Sequence, residues 1–138
     1  MAPTSDNSTS GISWGGEGIN ILGARDKFDG SANTTAIVAR LGSGFTYAAR
    51  TCSTYSAKGG YTSGWFLPSG GDNNSQIECL NTNSSSIGGF TTPSLNYWTS
   101  TQSSADRAWY IYLLFQQQNR ADKHDTALGF RCVSALIS

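Results

Sequence analysis

The segment that most constrains this sequence is Ala108–Phe115, which reads AWYIYLLF. It is rich in aromatic and β-branched residues and is too short to cross a membrane. As a strand it carries bulky side chains on both faces, which is typical of a central strand covered on both sides. A second strand-like run, Ala127–Val133, follows a polar stretch. We therefore predict a β-hairpin between the two runs, with Gln116–Asp125 as its long polar tip.

The overall composition restricts the class of protein and of partner. The chain has 138 residues, enough for one domain with its own core. Its formal net charge is zero, so nothing in the overall balance calls for a nucleic-acid or membrane partner, and any charge-driven partner must be met by a local patch. Ser, Thr and Asn make up about a third of the chain, as in many secreted proteins. The N-terminus has no signal-peptide pattern, and between a cytoplasmic protein and a mature secreted fragment we favour the fragment.

The cysteines and the histidine give little support for a metal or cofactor site. Cys52, Cys79 and Cys132 allow at most one internal disulfide, with three possible pairings. Their spacing matches no zinc-binding pattern, and the chain has one histidine, His124. We expect neither a metal nor a cofactor, although scattered carboxylates leave a calcium site open.

Short elements along the rest of the chain predict an α+β fold. Met1–Ser10 is polar and is expected to be flexible, and residues 11–138 are expected to form a single domain. Trp14 is predicted to cover one end of the core. Helices are predicted at three places: from Asn33 or Thr34 to Leu41, Phe45–Tyr55, and Asp72–Leu80. Strands are predicted at Ile19–Leu22, Gly64–Ser69 and Tyr97–Gln102. Short helices packed on an irregular antiparallel sheet with long loops follow from this order.

Catalytic arrangements are weak in this sequence. His124 lies in a polar turn with acidic neighbours, which is typical of a solvated loop histidine, and no G-x-S-x-G elbow is present. A pair of Cys79 with His124 and a pair of carboxylates for glycoside hydrolysis are both remote alternatives. We therefore predict that the protein is not an enzyme.

Basic residues around the predicted hairpin form the candidate binding site. Arg107, Arg120 and Lys123 flank it, and Tyr112 and Asn119 lie nearby. Arginine forms bidentate bonds to sulfate or carboxylate, lysine supplies a point charge, and aromatic faces stack on sugar rings. The second-rank candidates are Arg25, Lys27 and Lys58. For Arg107, Arg120 and Lys123, ordinary solvated charges on a loop are an equally good explanation, with Asp106, Asp122 and Asp125 as their partners.

Several segments occur in the order found in one bacterial family. They are GISW at 11–14, SANT at 31–34, YAARTC at 47–52, GWFLPS at 64–69, IGGF at 87–90, YWTSTQ at 97–102, AWYIYLLF at 108–115 and GFRCV at 129–133. The chain thus resembles the Lcl C-terminal domain family, named for a collagen-like surface adhesin of a bacterial pathogen. The resemblance covers residues 10 to 136.

The resemblance implies a C-type-lectin-like fold, a secreted or surface location, no catalytic site and no obligatory metal. It also implies a disulfide between Cys52 and Cys132, which leaves Cys79 as a thiol. In the adhesin, the domain caps collagen-like repeats and binds sulfated glycosaminoglycans, so a homotrimer is expected. The chain departs from the family pattern in two ways: it lacks an apolar strand before the GISW segment, and its Gly70–Asn74 loop is longer.

Two functions follow as expectations. The first is a non-catalytic extracellular adhesion domain that binds acidic polysaccharide, in particular sulfated glycosaminoglycans, through the basic residues above. The alternative is a protein-binding display or receptor domain, in which an aromatic and amide-rich surface recognises another protein. Salt dependence separates them, because binding driven by exposed charges weakens as salt is added.

Overall fold

A computed structural model describes residues 12–42, 44, 46–54, 65–82, 96–112, 117–125 and 128–134. These ranges contain both helices and strands, so the mixed α+β class is as predicted. The helices are α1 (Gly30–Leu41), α2 (Ala48–Ser53) and α3 (Gln76–Thr82), and a 3₁₀ turn covers Leu22–Ala24. The strands are β1 (Trp65–Phe66), β2 (Asn96–Gln102), β3 (Arg107–Tyr112), β4 (Gln117–Asp122) and β5 (Val133–Ser134). The predicted flexible segment 1–10 lies outside the described residues.

Strand β3 is central, as predicted, because it pairs with β2 on one side and β4 on the other in an antiparallel sheet. The predicted hairpin was wrong in its second strand. The polar stretch expected to form the tip contains β4, whereas residues 128–132 form no strand of this sheet. The reason is that β4 lies at the edge of the described sheet with most of its side chains in solvent, so it has no apolar alternation to reveal it.

The two faces of the sheet pack against different groups. On one face, Trp98 and Ala108 join the main core together with Trp14, Tyr47 and Phe130. On the other face, Ile111 and Tyr97 pack against Ile77 of α3 in a smaller cluster. This second cluster covers only part of the face, which leaves the neighbouring β3 and β4 positions accessible to a ligand.

The helices agree with the predictions in number but differ in their bounds. Helix α1 begins at Gly30, earlier than expected, because the Asp29 carboxylate accepts a hydrogen bond from the Ala32 amide at 3.0 Å and caps the helix. It ends at Leu41, and the following residue, Gly42, caps it with a φ of 74° that suits glycine. Helix α3 begins later than expected, at Gln76, and α2 is shorter than expected. The predicted strand at Ile19–Leu22 is absent, since these residues lead into the 3₁₀ turn.

A disulfide and a buried tryptophan tie distant parts of the chain together. The Cys52–Cys132 bond joins α2 to the segment before β5, which confirms the pairing expected from the resemblance. Trp14 is buried, as predicted, and its indole N–H donates to the Thr99 carbonyl at 2.7 Å. Cys79 is an exposed thiol on α3. Among the described residues, every helix is too short or too polar to span a bilayer.

Candidate ligand-binding surface

Lys123 is not available to an anionic ligand, which corrects the sequence-based prediction for this residue. Its side chain is fully buried, and Nζ donates to the Ile19 carbonyl at 2.9 Å and to Gln102 Oε1 at 2.8 Å. The ammonium also lies 4.6 Å from the centre of the Trp14 ring. Burial lowers the pKa of Lys123 to about 8. The physical reason for the burial is that the turn after β4 folds over the N-terminal segment, where the Trp14 amide donates to the Lys123 carbonyl at 3.0 Å.

Arg107 and Arg120 lie on the same face of the sheet. The register places Trp109 opposite Arg120 and Arg107 opposite Asp122, and residues directly opposite each other share a face. Arg107 Nε is 3.4 Å from Asp122 Oδ1, and the Arg120 guanidinium lies 5.8 Å from the centre of the Trp109 ring. Of the three basic residues predicted around the hairpin, two therefore remain exposed, and one of these is ion-paired.

The other predicted ligand contacts lie apart from these two arginines. Tyr112 and Asn119 belong to the opposite face of the same strands, because successive side chains alternate. Tyr112 is half-buried, while Asn119 is exposed and its Oδ1 accepts a hydrogen bond from the Arg120 amide at 2.8 Å. Arg25 and Lys27 are exposed on the loop before α1 and form a second, separate group. Lys58 lies outside the described residues.

A cleft of about 350 Å³ beside Trp109 was not predicted from the sequence. Its walls are formed by the loop before α3, by α3 itself and by strands β3 and β4. The lining residues are Gly71, Asp72, Asn73, Glu78, Trp109, Gln117 and Gln118. We call this cleft, together with Arg107 and Arg120, the Trp109 surface.

Gln118 holds the walls of the cleft together. Its Oε1 accepts from the Gly71 amide at 2.6 Å, and its Nε2 donates to the Asp72 carbonyl and to Glu78 Oε1, both at 2.9 Å. One side chain of β4 thus fixes both the loop and α3 relative to the sheet. The cleft is consequently preformed, and a ligand does not have to order it.

Gly71 allows the loop to approach the tryptophan closely. Its φ is +88°, and a Cβ atom at this position would lie 3.0 Å from Trp109 Nε1. This glycine belongs to the loop that precedes α3. The two adjacent glycines, Gly70 and Gly71, are the sequence signal for a close approach here, and alternation along β3 places Trp109 on the face of Arg107. No local pattern identified Gln118.

The charges on the Trp109 surface are mixed rather than basic. Asp72 and Glu78 line the cleft, and Asp122 faces Arg107. The surface as a whole offers carboxylate acceptors, the side-chain amides of Gln117 and Gln118, and the Trp109 ring next to the Arg120 guanidinium. His124 lies elsewhere, where it contacts the Glu17 carboxylate on the surface. That hydrogen bond raises the pKa of His124 and lowers the pKa of Glu17.

Comparison with known proteins adds no assignment, since no protein-family model, curated protein or solved structure matches this chain.

Proposed function

We propose that this chain is a non-catalytic extracellular binding domain with a C-type-lectin-like fold, and that its ligand is a protein bound at the Trp109 surface. The observation that carries the proposal is the exposed Arg120 beside the half-buried Trp109 at the rim of a preformed cleft. Tryptophan and arginine dominate the binding energy of protein interfaces. Amide side chains such as Asn73 and Gln117 supply adaptable hydrogen bonds around such a pair.

Acidic polysaccharide, the first expectation from the sequence, is less well supported. A sulfated chain requires several cations directed at one track of ligand, whereas Lys123 is buried and Arg107 is ion-paired with Asp122. The Asp72 and Glu78 carboxylates at the cleft repel sulfate groups. The contacts around the two strands therefore favour the alternative function, a protein-binding domain.

The proposed extracellular location is supported by the disulfide, whereas the proposed trimer is not supported by the contacts described above. A fully buried disulfide, with both Cys52 and Cys132 unexposed, is typical of proteins that fold in an oxidising compartment. The homotrimer remains an expectation from the family resemblance. A trimer multiplies weak contacts by avidity, and the mass in solution tests it.

The experiment compares protein and polysaccharide ligands with matched variants. The wild-type domain is measured against immobilised heparin and against a panel of purified extracellular proteins, at low salt and at about 0.5 M salt. We expect binding to a protein of the panel, about tenfold weaker in Arg120→Gln, and no retention on heparin. Arg25→Gln, which removes the same charge from the other basic group, is the control and should bind like wild type.

Heparin retention that disappears at high salt and in an Arg107→Gln/Arg120→Gln variant, with no protein bound, would reverse the choice in favour of the polysaccharide adhesin. Protein binding that is unchanged in both Arg120→Gln and Trp109→Ala would move the interface away from the Trp109 surface. Urea unfolding of each variant shows that the fold is retained.

A further inference from the structure

The cleft of the Trp109 surface is lined by two carboxylates and, among the described residues, by no basic side chain. Asp72 contributes one carboxylate from the loop before α3, and Glu78 contributes the other from α3 itself. Neither of them forms an ion pair with a described residue. The negative charge inside the cleft is therefore left for a ligand to neutralise.

The two arginines of the Trp109 surface do not cancel this charge. Neither of them lines the cleft, since Arg107 is paired with Asp122 and the Arg120 guanidinium lies 5.8 Å from the centre of the Trp109 ring. When Asp122 is counted with the two carboxylates of the cleft, this part of the molecule carries more carboxylates than arginines. The interior of the cleft is acidic, and the cations stand at its rim.

Each carboxylate of the cleft is oriented by a hydrogen bond and keeps a second oxygen for a ligand. Asp72 Oδ1 accepts from the Asn74 amide at 2.9 Å, and Glu78 Oε1 accepts from Gln118 Nε2 at 2.9 Å. No described residue donates to Asp72 Oδ2 or Glu78 Oε2. An ionised carboxylate has about four lone-pair sites, so both side chains can accept further donors. The neutral amides orient them but leave their charge uncompensated.

The chemistry of the lining selects the kind of group that binds there. The two carboxylates repel anions. A metal ion is poorly served, because the described ranges contain no group of three or more His, Cys, Asp or Glu side chains that could hold one. An organic cation is compatible with the carboxylates, with the side-chain carbonyl of Gln117 and with the Trp109 ring.

Among the cationic side chains of proteins, arginine matches this lining best. Its guanidinium carries several N–H donors in a fixed planar fork, which suits acceptors that are spread around one pocket, and its plane packs against aromatic rings. Lysine concentrates its donors at one strongly hydrated point. Arginine is also one of the residues that dominate the binding energy of protein interfaces.

We propose that the cleft binds the guanidinium of an arginine side chain that the protein ligand presents, with Asp72 and Glu78 as its anionic partners and the Trp109 ring beside it. This inference rests on the proposed function, because it assigns the part of the ligand that enters the Trp109 surface. Arg120 at the rim then pairs with a carboxylate of the same ligand, so the surface has two sites of opposite charge.

An NMR titration of the isotope-labelled domain tests the arginine site with small probes. The probes are capped arginine, capped lysine and capped citrulline, which is nearly isosteric with arginine but neutral. We expect capped arginine to shift the Trp109 indole N–H and the Gly71 amide resonances saturably, with weak, millimolar affinity. Capped lysine should bind several-fold more weakly, and capped citrulline about tenfold more weakly. Salt at about 0.5 M should weaken the binding of capped arginine.

Matched variants connect this signal to the two carboxylates. Asp72→Asn/Glu78→Gln keeps the oxygen acceptors for the Asn74 amide and for Gln118 but removes both charges, so it should bind capped arginine about tenfold more weakly. Asp106→Asn removes an exposed carboxylate that does not line the cleft and should bind like wild type. Binding to the protein found in the panel should fall by a similar factor in the first variant only. Urea unfolding confirms that each variant folds.

Two kinds of result overturn the proposal. In the first, capped citrulline or capped lysine shifts the two resonances as strongly as capped arginine does, or none of the probes shifts them. In the second, the panel protein binds Asp72→Asn/Glu78→Gln as tightly as wild type but is weakened by Arg120→Gln, so the proposed function stands and no cation enters the cleft. If capped arginine binds as expected and no protein of the panel does, the proposed function fails while the guanidinium site stands.

Discussion

The burial of Lys123 predicts an unusual rise of stability with pH. In the folded protein its pKa is about 8, mainly because burial disfavours the charged form, while the unfolded chain has the ordinary value near 10.5. Between these two values the unfolded state binds more protons than the folded state, so the free energy of unfolding increases as pH rises. Below pH 8 both states are protonated and the full cost of burying the charge is present.

The magnitude follows from the size of the pKa difference. One pKa unit corresponds to about 1.4 kcal/mol, so the shift is worth on the order of 3 kcal/mol. Most of this gain falls between pH 8 and 10. The comparison uses Lys123→Met, which keeps the length of the side chain but removes the titrating group. At pH 7 this variant removes the cost of burying the charge, but it leaves the Ile19 carbonyl and Gln102 Oε1 without the ammonium donor, which offsets that gain by about 1–3 kcal/mol.

Urea unfolding of both proteins from pH 7 to 10 measures the effect. We expect wild type to gain about 2–3 kcal/mol of stability relative to Lys123→Met over this range. Tyr47, whose pKa is raised by burial, lowers stability near and above its ordinary pKa of 10, but it does so in both proteins and cancels in the difference. A difference that stays constant with pH would refute the reasoning, as would an NMR titration that gives the Lys123 amine an ordinary pKa.

Three further predictions concern single contacts. The Cys52–Cys132 disulfide joins residues that are 80 positions apart, and its reduction should lower the free energy of unfolding by about 4 kcal/mol, measured by urea titration. A loss below ~1 kcal/mol would contradict its structural role. Glu17→Gln should lower the pKa of His124 toward 6.5 by NMR, and the pair should stabilise the fold only below the raised pKa; an unchanged pKa would show that the contact is absent. Gly71→Ala should cost about 1–2 kcal/mol in urea unfolding, because φ is positive and the indole of β3 is close; no change would indicate a relaxed loop.

The parts of the fold that could be predicted are those specified by neighbours in sequence. The aromatic run indicated the central strand because both of its faces are covered. Gly42 indicated the end of α1 because a helix is often ended by a residue with positive φ, a conformation that glycine adopts without steric strain. The Cys52–Cys132 pairing followed from family resemblance rather than from spacing, since three pairings were possible.

Features that depend on long-range pairing could not be predicted. Strand β4 is polar because one edge and most of its side chains meet water, so its composition is that of a loop. Lys123 is buried by acceptors on Gln102 and on the backbone of residues 16 and 19, and backbone acceptors leave no pattern in a sequence. The cleft depends on Gln118 reaching across to a loop and a helix far away in the chain.

Local charge counting does not show which basic residues around the predicted hairpin are available to a ligand. Near the hairpin, Arg107 looked available, but the antiparallel register places Asp122 opposite it. In the loop before α1, Asp26 and Asp29 accept backbone hydrogen bonds but remain exposed, so two carboxylates still stand beside Arg25 and Lys27. A charge is therefore available to a ligand only when the backbone and the paired strand leave it so. For this reason Lys123, which ranked with Arg107 and Arg120 in the sequence, is the basic residue least available to an anionic ligand, since the backbone and Gln102 bury its ammonium.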